Sequence, residues 1–151
     1  MIDQPFDPLR AIAERDDVVL SFHPVARLMG GGFYARAGEL GIIVVDPDLP
    51  GEDRRAVLTH ELIHHERGGE LPGDASARTA AFIAGDERSV DREVASRLVP
   101  PPLLDQFVRA ASRAAIPVGP IEVADHFEVP IGVAARALDE FLRRRPQHRR
   151  R

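Results

Sequence analysis

Two histidines flank a glutamate in the order His60-Glu61-Leu62-Ile63-His64. On a helix, residues four apart are neighbours on one face, so both imidazoles can reach a single ion. Zinc takes imidazole nitrogen at about 2.0–2.1 Å, and catalytic zinc keeps one position open for water. Glu61 lies about 60° round the helix from His64, near such an ion without having to bind it. There its carboxylate can accept a proton from activated water. The spacing points to hydrolysis assisted by Zn2+, with His60 and His64 as ligands and Glu61 as general base. Ala56, Val57, Leu58, Leu62 and Ile63 make the helix largely apolar. Two buried histidines need partners, and one ion serves both. His65, about 100° from His64, is expected to face elsewhere as a surface side chain.

A third ligand is required. The chain has no cysteine, and no further histidine cluster, so a carboxylate is expected. Residues 86–99 read as a helix with Val90, Val94 and Leu98 as its apolar stripe. Glu87 falls about 20° from Val94 and points inward with the stripe; Asp91 falls about 60° and Glu93 about 100° away. A buried acid followed by another one turn later is costly without a cation nearby. Glu87 is the expected ligand, Asp91 the acceptor for a ligand imidazole N–H, and Glu93 the alternative ligand. By chemistry alone, Tyr34, His23 and His126 are candidates to stabilise an oxyanion, with packing or surface roles as the plainer reading.

These side chains need a scaffold. Residues 7–16 read as a short helix and 17–25 as a strand closed by Pro24. After a turn at Gly30–Gly32, strands are expected at 33–37 and 40–45, joined near Gly38, with Ile42–Val45 the strongest β segment. Asp46–Gly51 is a turn, followed by the His60 helix over about 52–67, stopped by Gly68 and Gly69. Glu70–Asp74 reads as loop and 75–84 as a short helix, with Asp86 capping the next one. Helices follow at 103–115 and at either side of a turn near Val129–Pro130. The expected class is α+β: a small antiparallel sheet of about three strands, packed on the His60 helix and a second ligand-bearing helix, with a helical C-terminal part. One domain is expected over 1–142, with a catalytic core at 17–104, a helical part at 103–142 and a basic tail at 143–151.

With 151 residues the chain can bury a core unaided, and that core must be aliphatic because aromatics make up only 5%. The lack of cysteine excludes disulfides and thiolate metal sites. The start, MIDQPFDPLR, has no secretory pattern, and no run approaches a membrane span, so a cytoplasmic location is expected. The net charge of −4 is uneven. The last nine residues carry six arginines, so residues 1–142 alone carry −10. Such a tail is a candidate contact for nucleic acid or an acidic partner, and a solvated tail is the plainer alternative.

The segments Thr59–Gly68 (THELIHHERG) and Glu87–Pro100 (ERSVDREVASRLVP) together resemble the ImmA/IrrE family of metallopeptidases. The second is similar to that family's pattern E-x-x-A-[DN]-x-F-A-A-x-L-L-x-P, with Glu87 at the ligand Glu, Asp91 at the Asp/Asn, and Ala95, Leu98 and Pro100 in register. Val90 replaces a small residue, and Glu93 an aromatic. The resemblance covers about residues 17–104. It implies a zincin-like fold and a zinc peptidase linked to phage, mobile-element or stress regulation, whose protein substrate is a helix-turn-helix repressor. IEVADHFEVPIGVAARALDEFL resembles a helix-turn-helix pair, for which a plain helical hairpin is the alternative. A rival reading is a zinc-bound regulator acting through DNA or a partner with little proteolysis.

Overall fold

Ile42–Val45, the most β-prone run, lies in the middle strand of a three-stranded sheet. The computed structural model describes residues 4–69 and 77–145, the side chains of 77–84 excepted. The expected loop at Glu70–Asp74, the start of the helix expected at 75–84, and residues 146–151 of the basic tail lie outside the described residues. The fold is mixed α+β. The chain divides into two compact units, one of residues 6–94 and one that takes in residues 4–5 and the described residues from 95 onward.

In the first unit, strands β1 (Val18–Phe22), β2 (Gly32–Ala37) and β3 (Leu40–Val45) lie in the order β1-β3-β2. β2 and β3 form an antiparallel hairpin with Tyr34 opposite Ile43, turned at Gly38, whose φ of +64° suits glycine. The all-antiparallel expectation is corrected here, because β1 pairs parallel to β3, from Val18 opposite Gly41 to Phe22 opposite Val45. The physical reason is that the most apolar strand takes the centre, where both of its edges are satisfied. The chain reaches β2 by crossing from β1 through a 3₁₀ segment, Pro24–Met29, and the left-handed Gly30 and Gly31. β2 is thereby sent to the far edge.

Helix α1 (Pro8–Ala13) is capped by Asp7, whose carboxylate accepts the Leu9 and Arg10 N–H groups at 3.0 and 3.2 Å. α2 (Gly51–Glu66) carries His60 and His64, close to the expected bounds. Its Leu58 and Leu62 join Ile12, Val18, Ile43 and Val45 in one core cluster. The turn leading into α2 is held by Asp46. Its carboxylate accepts two bonds from the Arg27 guanidinium, at 3.0 and 3.2 Å, and one from the Asp48 N–H at 3.0 Å. The guanidinium, then that N–H, holds the Asp46 carboxyl below its ordinary value. A carboxyl depressed in the folded state stabilises above its unfolded pKa of about 3.9, and that contribution fades as pH falls below it. Asp46→Asn is therefore expected to lower the melting temperature at pH 7, with the gap to wild type narrowing below about pH 4. An unchanged gap at low pH in thermal melts would count against this role.

α2 lies close against β2 at Gly32. A Cβ added there would overlap the Val57 Cγ1 and lie 3.7 Å from the Glu61 Cγ. Val57 is branched and cannot swing aside easily. Gly32→Ala is expected to cost about 1–3 kcal/mol in urea unfolding, because helix and strand must separate.

α3 spans Ala77–Leu98 as one helix. The expected new start at Asp86 is corrected: Asp86 lies inside the helix. The stretch before it lacks proline, and Gly85 alone lowers helix propensity by only about 1 kcal/mol. The stripe Val90, Val94 and Leu98 is buried, as its spacing requires.

The second unit contains α4 (Pro101–Arg113), α5 (Pro120–Phe127) and α6 (Ile131–Arg144). α5 and α6 form a tight helical pair around buried Val123, Phe127, Val129, Ala134 and Leu138. Among the described residues, no helix is long and apolar enough to cross a membrane.

Candidate metal centre

α2 presents His60 and His64 one turn apart, and α3 brings Glu87 against both. The two Nε2 atoms are 3.1 Å apart. One Glu87 oxygen lies 3.1 Å from the His60 Nε2, and the other lies 2.9 Å from the His64 Nε2. All three side chains can hold one metal ion. The fit is close: a tetrahedral ion with ligands at about 2.0–2.1 Å separates its ligand atoms by about 3.3 Å. Two imidazole nitrogens and a carboxylate also form a donor set that suits zinc. Burial lowers the His60 pKa, against the pull of the Glu87 carboxylate, and so favours the neutral ring that a ligand must be.

Asp91, one turn after Glu87, stands behind the first histidine. Its Oδ1 is 3.4 Å from the His60 Nδ1, on the side of the ring opposite Nε2. That position favours a proton on Nδ1 and leaves the Nε2 lone pair facing Glu87 and His64. Glu61 is 8% exposed and lines the same cavity as His60, His64 and Glu87. Burial, aided by the Glu87 charge, pushes its carboxyl up to about 7. A carboxyl poised there exchanges protons readily near neutrality.

Glu93, the alternative ligand, is not brought to this group. Its carboxylate takes the Arg67 guanidinium at 2.6 Å. Arg67 also donates to Asp86 and to Ser89, at 3.2 Å each, and so ties the C-terminal end of α2 to α3. The three contacts hold the helix bearing Glu87 against the helix bearing the histidines. Nothing in the sequence pattern pairs Glu93 with Arg67, because the two lie on different helices.

His65 corrects a further expectation. It is buried at 7% exposure, not a surface side chain. Its Nε2 donates to the Asp17 carboxylate at 2.9 Å, and its Nδ1 lies 2.9 Å from the Tyr34 hydroxyl. Arg15, then His65, holds the Asp17 carboxyl well below the usual range, so Asp17 stays an acceptor. With the His65 proton facing Asp17, Nδ1 accepts the Tyr34 O–H. That hydrogen is then committed within the protein, which weakens Tyr34 as an oxyanion donor. The missed signal is periodic: Leu58, Leu62 and His65 fall at i, i+4 and i+7, on one buried face. His23 caps the 3₁₀ segment by accepting the Val25 N–H at 3.1 Å. His126 stacks on Phe107 in the second unit, with ring centroids 4.2 Å apart.

The chain matches no family model, no curated protein and no solved structure.

Proposed function

We propose that this chain is a zinc-dependent peptidase of the ImmA/IrrE type, with zincin-like packing of α2 and α3 around the metal. The observation that carries the reading is the convergence of His60, His64 and Glu87 beside the buried carboxyl of Glu61. A lone acid with two histidines is a common surface grouping. A fourth, buried, proton-exchanging group in the same cavity is what hydrolysis adds.

His60, His64 and Glu87 would hold the ion, and Asp91 would orient His60. Bound zinc supplies Lewis acidity, polarising a substrate carbonyl and acidifying water. Glu61 takes a proton from the attacking water at its carboxylate and delivers it to the leaving amine. Burial of Glu61 favours proton uptake by raising its carboxyl above the ordinary carboxylate value. The outer edge of β2 supports an extended substrate by strand addition. The resemblance of the two motif segments to that family makes a helix-turn-helix repressor the favoured substrate class, and such a substrate would be met in the cytoplasm.

A second reading is a zinc-bound regulator that acts through DNA or a partner. It draws on the tight α5–α6 pair. Exposed Glu122, Asp125 and Glu128 crowd that pair, while Arg143 is paired with Asp139 and Arg144 with Glu140, at 2.8 Å each. This charge distribution weighs against gripping a phosphate backbone.

The test is to purify the chain, measure its metal by elemental analysis, and incubate it with helix-turn-helix repressors, beginning with any that is encoded beside its gene. Near one zinc per chain is expected, with repressor cleavage that stops on chelation and returns with Zn2+. A chain without zinc, or cleavage indifferent to chelator, overturns the reading.

A further inference from the structure

The cavity around His60 and His64 is lined by unlike groups. Arg67, paired with Asp86, is a charged one. Met29 and Phe33 are apolar. Met29 closes the 3₁₀ segment, and that segment exposes three large apolar side chains within five residues: Val25 at 43%, Leu28 at 84% and Met29 at 61%. Apolar groups gathered this way on a turn mark a contact surface more often than single exposed ones do.

The segment runs directly into the site. Gly30 and Gly31 lead from Met29 to β2, whose Gly32, Phe33 and Tyr34 line the same cavity. The outer edge of β2 has no strand partner among the described residues. An extended peptide added along that edge enters the cavity that Met29 and the metal ligands line. Along β2, Gly32 faces Glu61, and Tyr34 reaches His65 one turn further along α2.

We infer that the 3₁₀ segment Pro24–Met29 is the specificity surface of this site, with Met29 receiving one bulky apolar side chain of an extended peptide beside the bond to be cut. The inference rests on the peptidase reading and deepens it. The favoured substrate has Leu, Met or Phe at that position and discriminates against Asp there.

A fluorescein-labelled decapeptide series tests it. A single Leu, or a single Asp, is moved through a Gly/Ser/Ala background. Binding by anisotropy and cleavage by mass spectrometry are read for the zinc-loaded full chain, for Met29→Lys, and for Leu9→Lys as a control. Leu9 is 47% exposed on α1 and does not line the cavity. Expected is one position at which Leu binds at least about tenfold tighter than Asp, a preference that Met29→Lys removes and Leu9→Lys keeps. Cleaved bonds should sit next to that position. Equal binding of all peptides, or a preference that survives Met29→Lys, overturns the inference even if peptides are cut. A preference lost in Met29→Lys without any cleavage supports the docking surface and rejects the peptidase reading instead.

Discussion

Glu61→Gln is expected to slow peptide hydrolysis by at least about 10²–10⁴-fold while leaving the zinc content near one per chain. The amide keeps the size of the side chain and its place at 8% exposure, but it cannot take or return a proton. Burial raises the pKa of the carboxyl it replaces, and a neutral amide of the same size carries no charge to desolvate. The variant should therefore melt within a few degrees of wild type. That combination separates chemistry from folding. Cleavage within tenfold of wild type would remove Glu61 from the proposed role, whereas loss of zinc together with activity would make it a structural part of the metal site.

The second large effect concerns the third ligand. Glu87→Ala is expected to weaken zinc binding by more than the 10–100-fold that follows loss of a group supporting a ligand. Asp91→Asn should fall within about that 10–100-fold range, because Asp91 reaches the ion only through the His60 ring. Glu93→Ala should leave zinc affinity within a few-fold, since its carboxylate is engaged by Arg67. Competition titration with a chromogenic chelator reads all three. If Glu93→Ala proved the most damaging, the register of α3 against α2 described above would be wrong.

Much of the site was legible because helical geometry is rigid. The spacing of His60 and His64, and the position of Glu87 relative to Val90 and Val94, follow from 3.6 residues per turn and needed no tertiary information. What escaped was whatever depends on which element comes to lie beside which. The parallel pairing of β1 with β3 is invisible to strand-by-strand pattern, since period and composition say nothing about the order of strands. The long α3 was cut short because Gly85-Asp86 looks like a helix start when helix continuation is not weighed. Angle from His64 alone turns His65 outward, whereas its spacing from Leu58 and Leu62 assigns it to the buried face. Arg67 is a surface cation by type, and only the approach of α3 turns it into a clasp on Asp86, Ser89 and Glu93.

The strand order also sets a sequence of assembly. β2 and β3 are joined by a tight reversal, so they can zip together at little loss of chain entropy. The register of β1 with β3 joins residues 23 apart, as in Val18 with Gly41, and must close a much larger loop. The hairpin is therefore expected to form early and the N-terminal strand to dock late. Until β1 arrives, one edge of the most apolar strand stands open, which makes the half-assembled sheet the point at which a refolding chain is most exposed to self-association.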